Sequence, residues 1–338
     1  MNLKDIAKIA GVSAVTVSNV INKNYNKVSK ETIEKVQKII EEYNYSPNAT
    51  ARSLALKKSK IIGVVIPNLS EEEVFSQSPY NAQILAFLEN YIRKQGYYLM
   101  IRCVEECSEI IPIFSTWNVD GIIFFGANKN EVEDIQSKLK VPAVFIDAYA
   151  DDLPITNVGI DDYKGGYLAT RYLLGKGHRR IAFVGPYIDI SGVIKARYNG
   201  FRDACMERDV ELKPTHKFEV NTTYEKGVEV GREIAFSKMA FTAVVCMSDI
   251  LAFGVMEGLR LCGLNVPEDI SVIGFDNLPE CKYSNPQLTT VSQSLESKAE
   301  LAGKYLFQMI REKTKIVVNE KVDVEIIERQ SVKPLIVQ

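Results

Sequence analysis

The sequence lacks the long apolar segments that insertion into a membrane requires. Its longest apolar runs, such as residues 61–67, have the length of a strand, whereas a helix that spans a bilayer needs about 20 residues. The N-terminus MNLKDIAK has no long apolar core, so we expect no signal peptide and a cytoplasmic location. The six cysteines show no CxxC pair and no zinc spacing, which favours reduced core thiols. A metal or redox pair formed by Cys103 and Cys107 is the alternative.

Signatures of catalysis are absent as well. The chain contains none of the motifs GxxxxGK[ST], GxGxxG, GxSxG and HExxH, which mark phosphate loops, dinucleotide sites, serine hydrolases and zinc proteases. Only two histidines occur, and His178, within the turn GKGHRR, is assigned a structural role. Without a nucleophile–base pair or a metal cluster, we expect no enzymatic activity, no bound metal and no cofactor.

The length and the distribution of charge point to several domains with different partners. A chain of 338 residues exceeds one ordinary core, so two or three domains are expected. The net charge of −2 hides an asymmetry: residues 1–58 carry ten Lys/Arg against five Asp/Glu, while the remainder carries 31 against 38. A basic N-terminal module on an acidic body is typical of a nucleic-acid-binding head.

Residues 3–22 predict two short amphipathic helices joined by a tight turn. Gly11 ends the first helix, because glycine tolerates positive φ, and Ser13 is positioned to cap the second. The first helix should bury Leu3, Ile6, Ala7, Ile9 and Ala10, and the second Val17, Val20 and Ile21. The rest of the second helix is small and polar, which suits a DNA major groove; an ordinary helical hairpin is the alternative.

A third helix follows, and after it a short segment that we expect to be helical only under certain conditions. The third begins after the cap residue Ser29 and carries Ile33, Val36, Ile40 and Tyr43 on one face. Residues 47–58 then hold about two helical turns that start at Pro47, which is too short for a lone helix in water. We expect this stretch to be helical only when something packs on it.

From Lys60 onward, strands alternate with helices, the pattern of doubly wound parallel sheets. A first series comprises strands 61–67, 98–104, 121–125 and 142–147, with helices 79–95 and 129–139. A second series is expected to begin with strand 157–161 and to contain strands 181–185, 243–247 and 270–276, with helices 164–175, 193–209 and 250–262. Two series imply two lobes with one cleft at the strand carboxyl ends. A helix at 295–312 and a strand at 322–328 must each join a sheet.

Six phrases of the sequence resemble the lactose-repressor (LacI/GalR) family of bacterial transcription regulators. They are LKDIAKIAGVSAVTVSNVIN, SPNATARSLA, VDGIIFFG, GGYLATRYLLGKGHRRIAFVG, VPEDISVIGFDN and PQLTTVSQ, and they span essentially the whole chain. The resemblance implies an α/β protein with an all-α helix-turn-helix head (1–46), a hinge helix and linker (47–58), and a periplasmic-binding-protein-like body (59–338). Lobe 1 would comprise about 59–158 and 293–320, and lobe 2 about 159–292 and 321–338, with three strand crossovers between them.

The same resemblance implies the partners. We expect a homodimer that represses carbohydrate-utilisation genes by binding near-palindromic operator DNA, with a sugar-like effector in the cleft. A nucleobase or a sugar phosphate is the alternative effector. No leucine heptad is present at the C-terminus, which favours a dimer over a tetramer. A secreted solute-binding protein would lack the basic head, and a sugar-metabolising enzyme would need catalytic groups.

The resemblance also implies which residues contact DNA, because positions of this sequence align with DNA-contacting positions of the family. Ala14, Val15 and Asn19 match base-contacting positions of the family, and Ser13 and Thr16 match phosphate-contacting ones. Leu54 matches the hinge leucine that wedges into the central base step, with Ala51 beside it. Asn19 stands where Arg is usual, and Asn suits the edge of adenine whereas Arg suits guanine, so we expect an uncommon half-site. A phosphate-facing Asn19 is the alternative.

The effector-contacting residues carry over in the same way. Asp147, Arg197, Ser248 and Asp276 match cleft positions of sugar-binding members, and Tyr80, Asn81 and Leu295 are further candidates. Charged partners make strong hydrogen bonds to hydroxyl groups, which favours a sugar. No glycine-rich phosphate loop is evident, and the two carboxylates would repel a dianion. For each of these residues, an ion pair between the lobes is the alternative role.

Overall fold

The structure, a computed structural model, describes residues 1–45, 58–67, 78–105, 107–150, 152–186 and 192–335, without the side chains of Ser108 and Ser115. The chain divides into two compact units, Met1–Lys60 with Trp117–Asp120, and Ile61–Thr116 with Gly121–Gln338. The predicted hinge helix, with Ala51 and Leu54, lies outside the described residues. Among the helices that are described, none combines the length and apolar character that a membrane span requires.

The head contains the three predicted helices, α1 (Leu3–Ala10), α2 (Ala14–Ile21) and α3 (Lys30–Glu42). Gly11 ends α1 in the left-handed region with φ of 66°, as its lack of a Cβ allows. The hydroxyls of Ser13 and Ser29 accept hydrogen bonds from the backbone N–H groups three residues later, at 3.1 Å and 3.3 Å. These caps satisfy donors that a helix start leaves unpaired, and both predicted caps are confirmed.

The core of the head differs from the prediction at two positions. Its fully buried side chains are Ile6, Ala7, Ala10, Val17, Val20, Val36 and Ile39. Ile9 is 44% exposed, because it lies off the stripe that residues 3, 6, 7 and 10 form at i, i+3, i+4 and i+7. Tyr43 is 47% exposed, since α3 ends before it and Ile39 fills the core instead. The predictions for Ile9 and Tyr43 were therefore wrong.

The body alternates strands and helices along its whole length. Its first part contains β1 (Ile61–Pro67), α4 (Pro79–Lys94), β2 (Tyr98–Val104), α5 (Ile110–Trp117), β3 (Gly121–Phe125), α6 (Lys129–Lys138), β4 (Ala143–Ile146) and β5 (Thr156–Ile160). Its middle part contains α7 (Asp162–Gly175), β6 (Ile181–Gly185), α8 (Gly192–Met206), β7 (Lys217–Glu219), α9 (Tyr224–Ala235), β8 (Ala243–Cys246), α10 (Asp249–Leu261), β9 (Ser271–Asp276) and β10 (Thr289–Ser292). The last elements are α11 (Leu295–Glu312), β11 (Val318–Val322) and β12 (Glu325–Ile327).

These strands form two sheets, one in each lobe. The first sheet has the order β11-β5-β4-β3-β1-β2 and its pairs are parallel. The second has the order β12-β10-β9-β8-β6-β7 and is parallel except for the pair of β10 with β12. Strands such as β3, β6 and β8 are buried throughout, as expected where helices cover both faces of a sheet.

The chain passes between the sheets three times, after β5, after β10 and after β11, which confirms the three crossovers. Two details were wrong. The strand expected to open the second series, 157–161, is β5 of the first sheet, where Asn157 pairs with Phe145 of β4. The single strand expected at 322–328 is instead β11 in the first sheet and β12 in the second, separated by Asp323 and Val324. Which sheet a strand joins depends on long-range pairing, which local sequence patterns do not encode.

The sequence analysis did not predict α5, β7, α9 and β10. The helix α9 shows why local patterns can fail. Its Gly227 and Gly231 face Gly254 and Gly258 of α10, and glycines disfavour a helix when judged by propensity. A Cβ atom on Gly258 would lie 2.3 Å from the carbonyl oxygen of Val228. The glycines therefore allow the two helix backbones to approach closely, and tertiary packing outweighs local propensity.

This close packing predicts a cost for any side chain at the contact. In Gly258→Ala the new methyl group must push the helices apart, so the free energy of unfolding should fall by about 1–3 kcal/mol. Urea denaturation of the full chain measures this change. Gly175→Ala, in a helix where a Cβ meets no atom within 4 Å, is the matched control and should be neutral or stabilising by up to about 1 kcal/mol. Equal effects of the two substitutions would contradict the packing argument.

Candidate functional site

The outer face of α2 is small, polar and accessible. Val15 is 69% exposed, the largest exposed fraction among the apolar side chains of the head, and Ser13 is exposed beside it. Ala14, Thr16 and Asn19 are half-buried on the same helix, while Val17 and Val20 face the core. None of the five head residues predicted to contact DNA is fully buried, although Ala14 packs partly against the core. An exposed, apolar Val15 is suited to the methyl group of thymine.

The polar side chains of this face differ in how firmly the protein holds them. The hydroxyl groups of Ser13 and Thr16 lie 2.9 Å apart and share a hydrogen bond, which fixes both at the start of α2. Within the described parts of the chain, the amide group of Asn19 has no hydrogen-bond partner, so its donors and acceptor are available to a ligand. An amide offers one donor and one acceptor side by side, the pattern that complements the major-groove edge of adenine.

The second candidate site lies in the body, where the lobes meet. Asp147 follows β4, and its Oδ2 accepts hydrogen bonds from the Tyr80 hydroxyl at 2.7 Å and the Lys298 ammonium at 2.6 Å. The ammonium is completely buried and also donates to the Tyr80 hydroxyl at 3.0 Å and to Oε1 of Gln293 at 2.9 Å. A buried ammonium is tolerated only with such partners, because its desolvation is costly.

Gln293 extends this chain of contacts into the second lobe. It follows β10, is 1% exposed, and its amide donates to the carboxyl group of Asp276 at the end of β9. Lys298 lies in the first turn of α11, a helix that packs on the first sheet. Gln293, in the segment that crosses between the sheets, therefore links Lys298 of lobe 1 to Asp276 of lobe 2.

A second set of contacts surrounds Arg197 of α8 in lobe 2 and reaches lobe 1 through Tyr149. Its guanidinium donates to Asp162 at 2.7 Å and to the carbonyl oxygen of Met247 at 2.7 Å, and it stacks 3.6 Å from the centre of the Phe275 ring. Asp162, at the start of α7, also accepts a hydrogen bond from the hydroxyl of Tyr149, which follows β4 of lobe 1. Together, the groups described in these three paragraphs form the cleft network: Tyr80, Asp147, Tyr149, Asp162, Arg197, Asp276, Gln293 and Lys298.

Burial changes the pKa values of the acids in the cleft network. Burial, and then the nearby Asp249 carboxyl, raises the pKa of Asp276 to about 8, although Arg197 opposes this change. Asp249 is itself fully buried, which raises its pKa to about 6 despite hydrogen bonds from Thr290, Cys281 and the backbone of Leu278. A carboxyl with a pKa near 8 is mostly protonated at neutral pH, so Asp276 adds little negative charge to the cleft.

The other titratable groups of the cleft network also influence one another's pKa values. Burial raises the pKa of Asp162, an effect that Arg197 partly offsets. For Arg197, burial acts against the charged form, but Asp162 and Asp276 outweigh it and raise its pKa. Burial, followed by the charge of Asp162, also raises the pKa of Tyr149, which keeps its hydroxyl a hydrogen-bond donor.

A cavity of about 180 Å³ adjoins the cleft network. Its polar lining comprises Asp147, Tyr149, Asn157, Asp161, Asp162, Asn319 and Lys321. Oδ1 of Asp147 is buried and has no hydrogen-bond partner among the described residues, unlike its Oδ2. A buried carboxylate oxygen without a partner is a site where a ligand hydroxyl or N–H group can donate. The cavity is smaller than the roughly 300–1,000 Å³ of typical ligand pockets, so a larger ligand requires the lobes to separate.

The structure brings together four of the seven predicted effector residues: Tyr80, Asp147, Arg197 and Asp276. The other three lie nearby in different roles. Ser248 caps α10 by accepting a hydrogen bond from the backbone of Leu251 at 3.3 Å. Leu295 is 5% exposed in an apolar cluster, and Asn81 lies in the first turn of α4 without a side-chain contact to the cleft network. Their predicted effector contacts stay predictions.

The sequence analysis missed Tyr149, Asp162, Gln293 and Lys298. Lys298 had a detectable signal, because residues 295, 298, 299 and 302 form an i, i+3, i+4, i+7 stripe in which it is the charged member. A lysine on the buried face of a helix indicates a paired charge. The other three had no such local signal, because their importance depends on partners that are distant in sequence.

The chemistry available in the cleft is binding by hydrogen bonds rather than bond cleavage. The cleft network holds no nucleophile activated by a neighbouring base. Within the described residues, no group of three or more His, Cys, Asp or Glu side chains is placed to hold a metal ion. The carboxyl, guanidinium, amide and phenol groups instead suit recognition of a polar molecule.

Comparisons with known proteins identify the family to which the chain is similar. Bacterial regulatory proteins of the lacI family match residues 2–48, and the periplasmic binding protein-like domain matches residues 170–332. The HTH-type transcriptional repressor PurR of Pasteurella multocida (strain Pm70) is 34% identical, with 98% of each chain covered. The relatives matched in this way are transcriptional repressors rather than enzymes.

Two solved structures extend the comparison to three dimensions. The lac repressor dimer bound to operator and the anti-inducer ONPF has a TM-score of 0.84 and 26% identity, over 98% of this chain and 99% of that one. A LacI family transcriptional regulator from Enterococcus faecium with bound ribose has a TM-score of 0.70 and 27% identity, over 81% of this chain and 99% of that one.

The raised pKa of Asp276 predicts a pH-dependent stability. The folded protein keeps this proton to about pH 8, whereas the unfolded chain releases it near pH 4. Between these values the folded state binds more protons, so the contribution of Asp276 to stability falls as pH rises. Asp276→Asn cannot ionise and still accepts from Gln293, so its free energy of unfolding relative to wild type should rise across this range. Urea denaturation over a pH series measures the difference, and a constant difference would contradict the raised pKa.

Proposed function

Because the chain belongs to the lacI family of bacterial regulatory proteins, we propose that it is a sequence-specific repressor controlled by a sugar-like effector. The observation that carries the proposal is the combination of two sites on one chain. One is an accessible, small and polar face on α2, and the other is a polar cleft network that joins the two lobes of the body. A repressor acts on chromosomal DNA, so we place the protein in the bacterial cytoplasm.

In this proposal α2 lies in the major groove of the operator. Val15 and Asn19 contact bases, and Ser13 and Thr16 contact phosphates near the start of the helix, where backbone N–H groups favour anions. The predicted hinge, with Ala51 and Leu54 in the minor groove, would connect the head to the body. The basic charge of residues 1–58 supports nonspecific attraction to the phosphate backbone.

The cleft network supports a neutral effector more strongly than a phosphorylated one. Arg197 is paired with Asp162 and Lys298 with Asp147, so neither cation is left for a phosphate group. Oδ1 of Asp147 has no hydrogen-bond partner among the described residues, so it can accept a hydrogen bond from a ligand hydroxyl group. The relative with bound ribose supports a sugar, and a nucleobase remains the alternative effector.

We further propose that the chain acts as a homodimer with a near-palindromic operator. A groove of about 810 Å³ on lobe 2 runs between α10 and residues 279–286. Tyr283 is 81% exposed at this groove, and contiguous exposed apolar groups mark interaction surfaces. A second copy of the chain is the occupant that agrees with the dimeric lac repressor structure. Two copies related by a two-fold axis would present two α2 helices to two half-sites.

The DNA part of the proposal is tested by selecting binding sites from random DNA. The wild-type chain should return a near-palindrome, and Asn19→Arg should change the preferred base pair at one position in each half-site. The expected discrimination is about 1–3 kcal/mol per contact, because Asn and Arg complement different base edges. Lys38→Arg, an exposed position on α3, is the control and should leave the preferred bases unchanged. An asymmetric selected site would contradict the dimer, and an unchanged preference in Asn19→Arg would assign that residue to the backbone.

The effector part is tested by titrating operator complexes with neutral sugars, sugar phosphates and nucleobases. At least one neutral sugar should change the operator affinity of the wild type. Arg197→Lys keeps a cation beside Asp162 but loses the planar guanidinium, so it should still bind operator and should need at least about tenfold more sugar for the same response. A response of the wild type to phosphorylated or nucleobase ligands alone would contradict the sugar proposal. An identical response of Arg197→Lys would make Arg197 a structural residue.

A further inference from the structure

Lys298 occupies a position where the fold otherwise places apolar side chains. Leu295, Ala299 and Ala302 on the same stripe of α11 are buried in apolar clusters. The Lys298 ammonium lies among them without exposed surface, and it donates to three acceptors, the Tyr80 hydroxyl, Oδ2 of Asp147 and Oε1 of Gln293. An ammonium has three N–H donors, so all of them are satisfied by the protein.

This arrangement determines how Asp147 can contact a ligand. Its Oδ2 is occupied by Tyr80 and Lys298. Its Oδ1 is buried and has no partner in the part of the chain that the structure describes, and Asp147 lines the 180 Å³ cavity. A ligand therefore meets one acceptor atom of a carboxylate whose charge is already balanced. A hydroxyl group can donate to Oδ1 without separating the ion pair. An ammonium group of a ligand gains less there, because the positive charge of Lys298 lies 2.6 Å from the other oxygen.

The remaining charges of the cleft network are balanced too. Arg197 is paired with Asp162 at 2.7 Å, and Asp276, whose pKa burial raises to about 8, holds a proton at neutral pH. Lys321 and Asp161 line the cavity with opposite charges. The cleft thus offers hydrogen-bonding groups without a net charge that would favour an ionic ligand.

We propose that Lys298 is a specificity-determining residue of the effector site, which selects neutral hydroxylated ligands by balancing the charge of Asp147 and thereby excludes amino sugars. The inference rests on the proposed sugar effector and adds the residue that determines which ligand charge the site prefers. It predicts that removing either member of the ion pair changes the preferred charge of the ligand. Loss of Lys298 leaves a negative site, and loss of the Asp147 charge leaves a positive one.

The experiment measures binding of matched sugars to the full chain by thermal shift and then by calorimetry. The probes are D-glucose, D-galactose and D-mannose, their 2-amino derivatives, D-glucuronate, D-galacturonate, D-ribose and adenine. The wild type should bind at least one neutral hexose about tenfold or more tightly than its 2-amino derivative. In Lys298→Met this ratio should fall at least about tenfold, because the unbalanced Asp147 carboxylate attracts the ammonium group.

Matched variants separate charge from packing. Lys298→Arg retains the positive charge and should retain the neutral preference. Lys304→Met removes the same charge from an exposed position on the same helix and should behave as the wild type. Asp147→Asn leaves Lys298 without its counter-charge, so it should gain affinity for the uronates instead. If Lys298→Met fails to fold, Asp147→Asn still tests the proposal. The predicted change in ligand preference is then toward anionic sugars instead of cationic ones.

The possible results distinguish a failure of the proposal for Lys298 from a failure of the proposed sugar effector. Unchanged ratios in both Lys298→Met and Asp147→Asn would overturn the role of Lys298 while leaving a sugar effector in place. A wild type that binds amino sugars as tightly as neutral ones would do the same. Binding of adenine without binding of any carbohydrate would overturn the sugar effector itself. The absence of binding by every probe would overturn both proposals.

Discussion

Two cations lie buried between the lobes of the body, and each of them depends on a carboxylate. Arg197 and Lys298 are 7% and 0% exposed, and they are held by Asp162 and Asp147 at 2.7 Å and 2.6 Å. Removing one partner of such a pair typically costs about 3–5 kcal/mol, because the other charge is left unpaired in a low-dielectric interior. The pair of Lys298 with Asp147 lies in lobe 1, and the pair of Arg197 with Asp162 lies in lobe 2. The two pairs are connected across the lobes because Tyr149 donates to Asp162, and because Gln293 accepts from Lys298 and donates to Asp276. The sheets and helices of the body place the four side chains of these pairs close to one another.

The same pairing suggests how a small ligand can act on distant DNA. The contact of Tyr149 with Asp162 and the contact of Gln293 with Asp276 both cross from one lobe to the other. A ligand that donates to Oδ1 of Asp147 in only one arrangement of the lobes stabilises that arrangement over another. In the proposed dimer, a change in lobe arrangement would alter the spacing of the two hinge segments and hence of the two heads. A coupling free energy of about 1–3 kcal/mol is typical of such transitions.

Much of the fold could be predicted from the sequence, because its signals are local. Strands such as β3 and β6 are short apolar runs, and α11 has a clear apolar stripe, so their bounds were predicted correctly. The helix α9 could not be predicted, since its glycines are explained only by the backbone of α10 against which they pack. The sheet that β5 joins could not be predicted either, because pairing with β4 and β11 is a long-range property.

The residues of the candidate site likewise divide into those that could be predicted from the sequence and those that could not. Asp147 follows β4 and Asp276 ends β9, at the carboxyl ends of strands, where an α/β fold places ligands, and both were predicted from the family resemblance. The partners of these residues were not found, because Lys298 is 151 residues from Asp147 and Asp162 is 35 residues from Arg197. Lys298 was recognisable as a charge on a buried stripe, but its pairing with Asp147 required the three-dimensional arrangement.

The central claim is that the cleft and the operator-binding head are thermodynamically coupled. Calorimetry can measure the affinity of the most strongly stabilising sugar for the free protein and for the protein bound to its operator. Linkage requires that the ratio of these affinities equals the factor by which the sugar changes operator affinity. The account predicts two different affinities with that ratio. Equal affinities with and without operator, for a sugar that binds in the cleft, would contradict it.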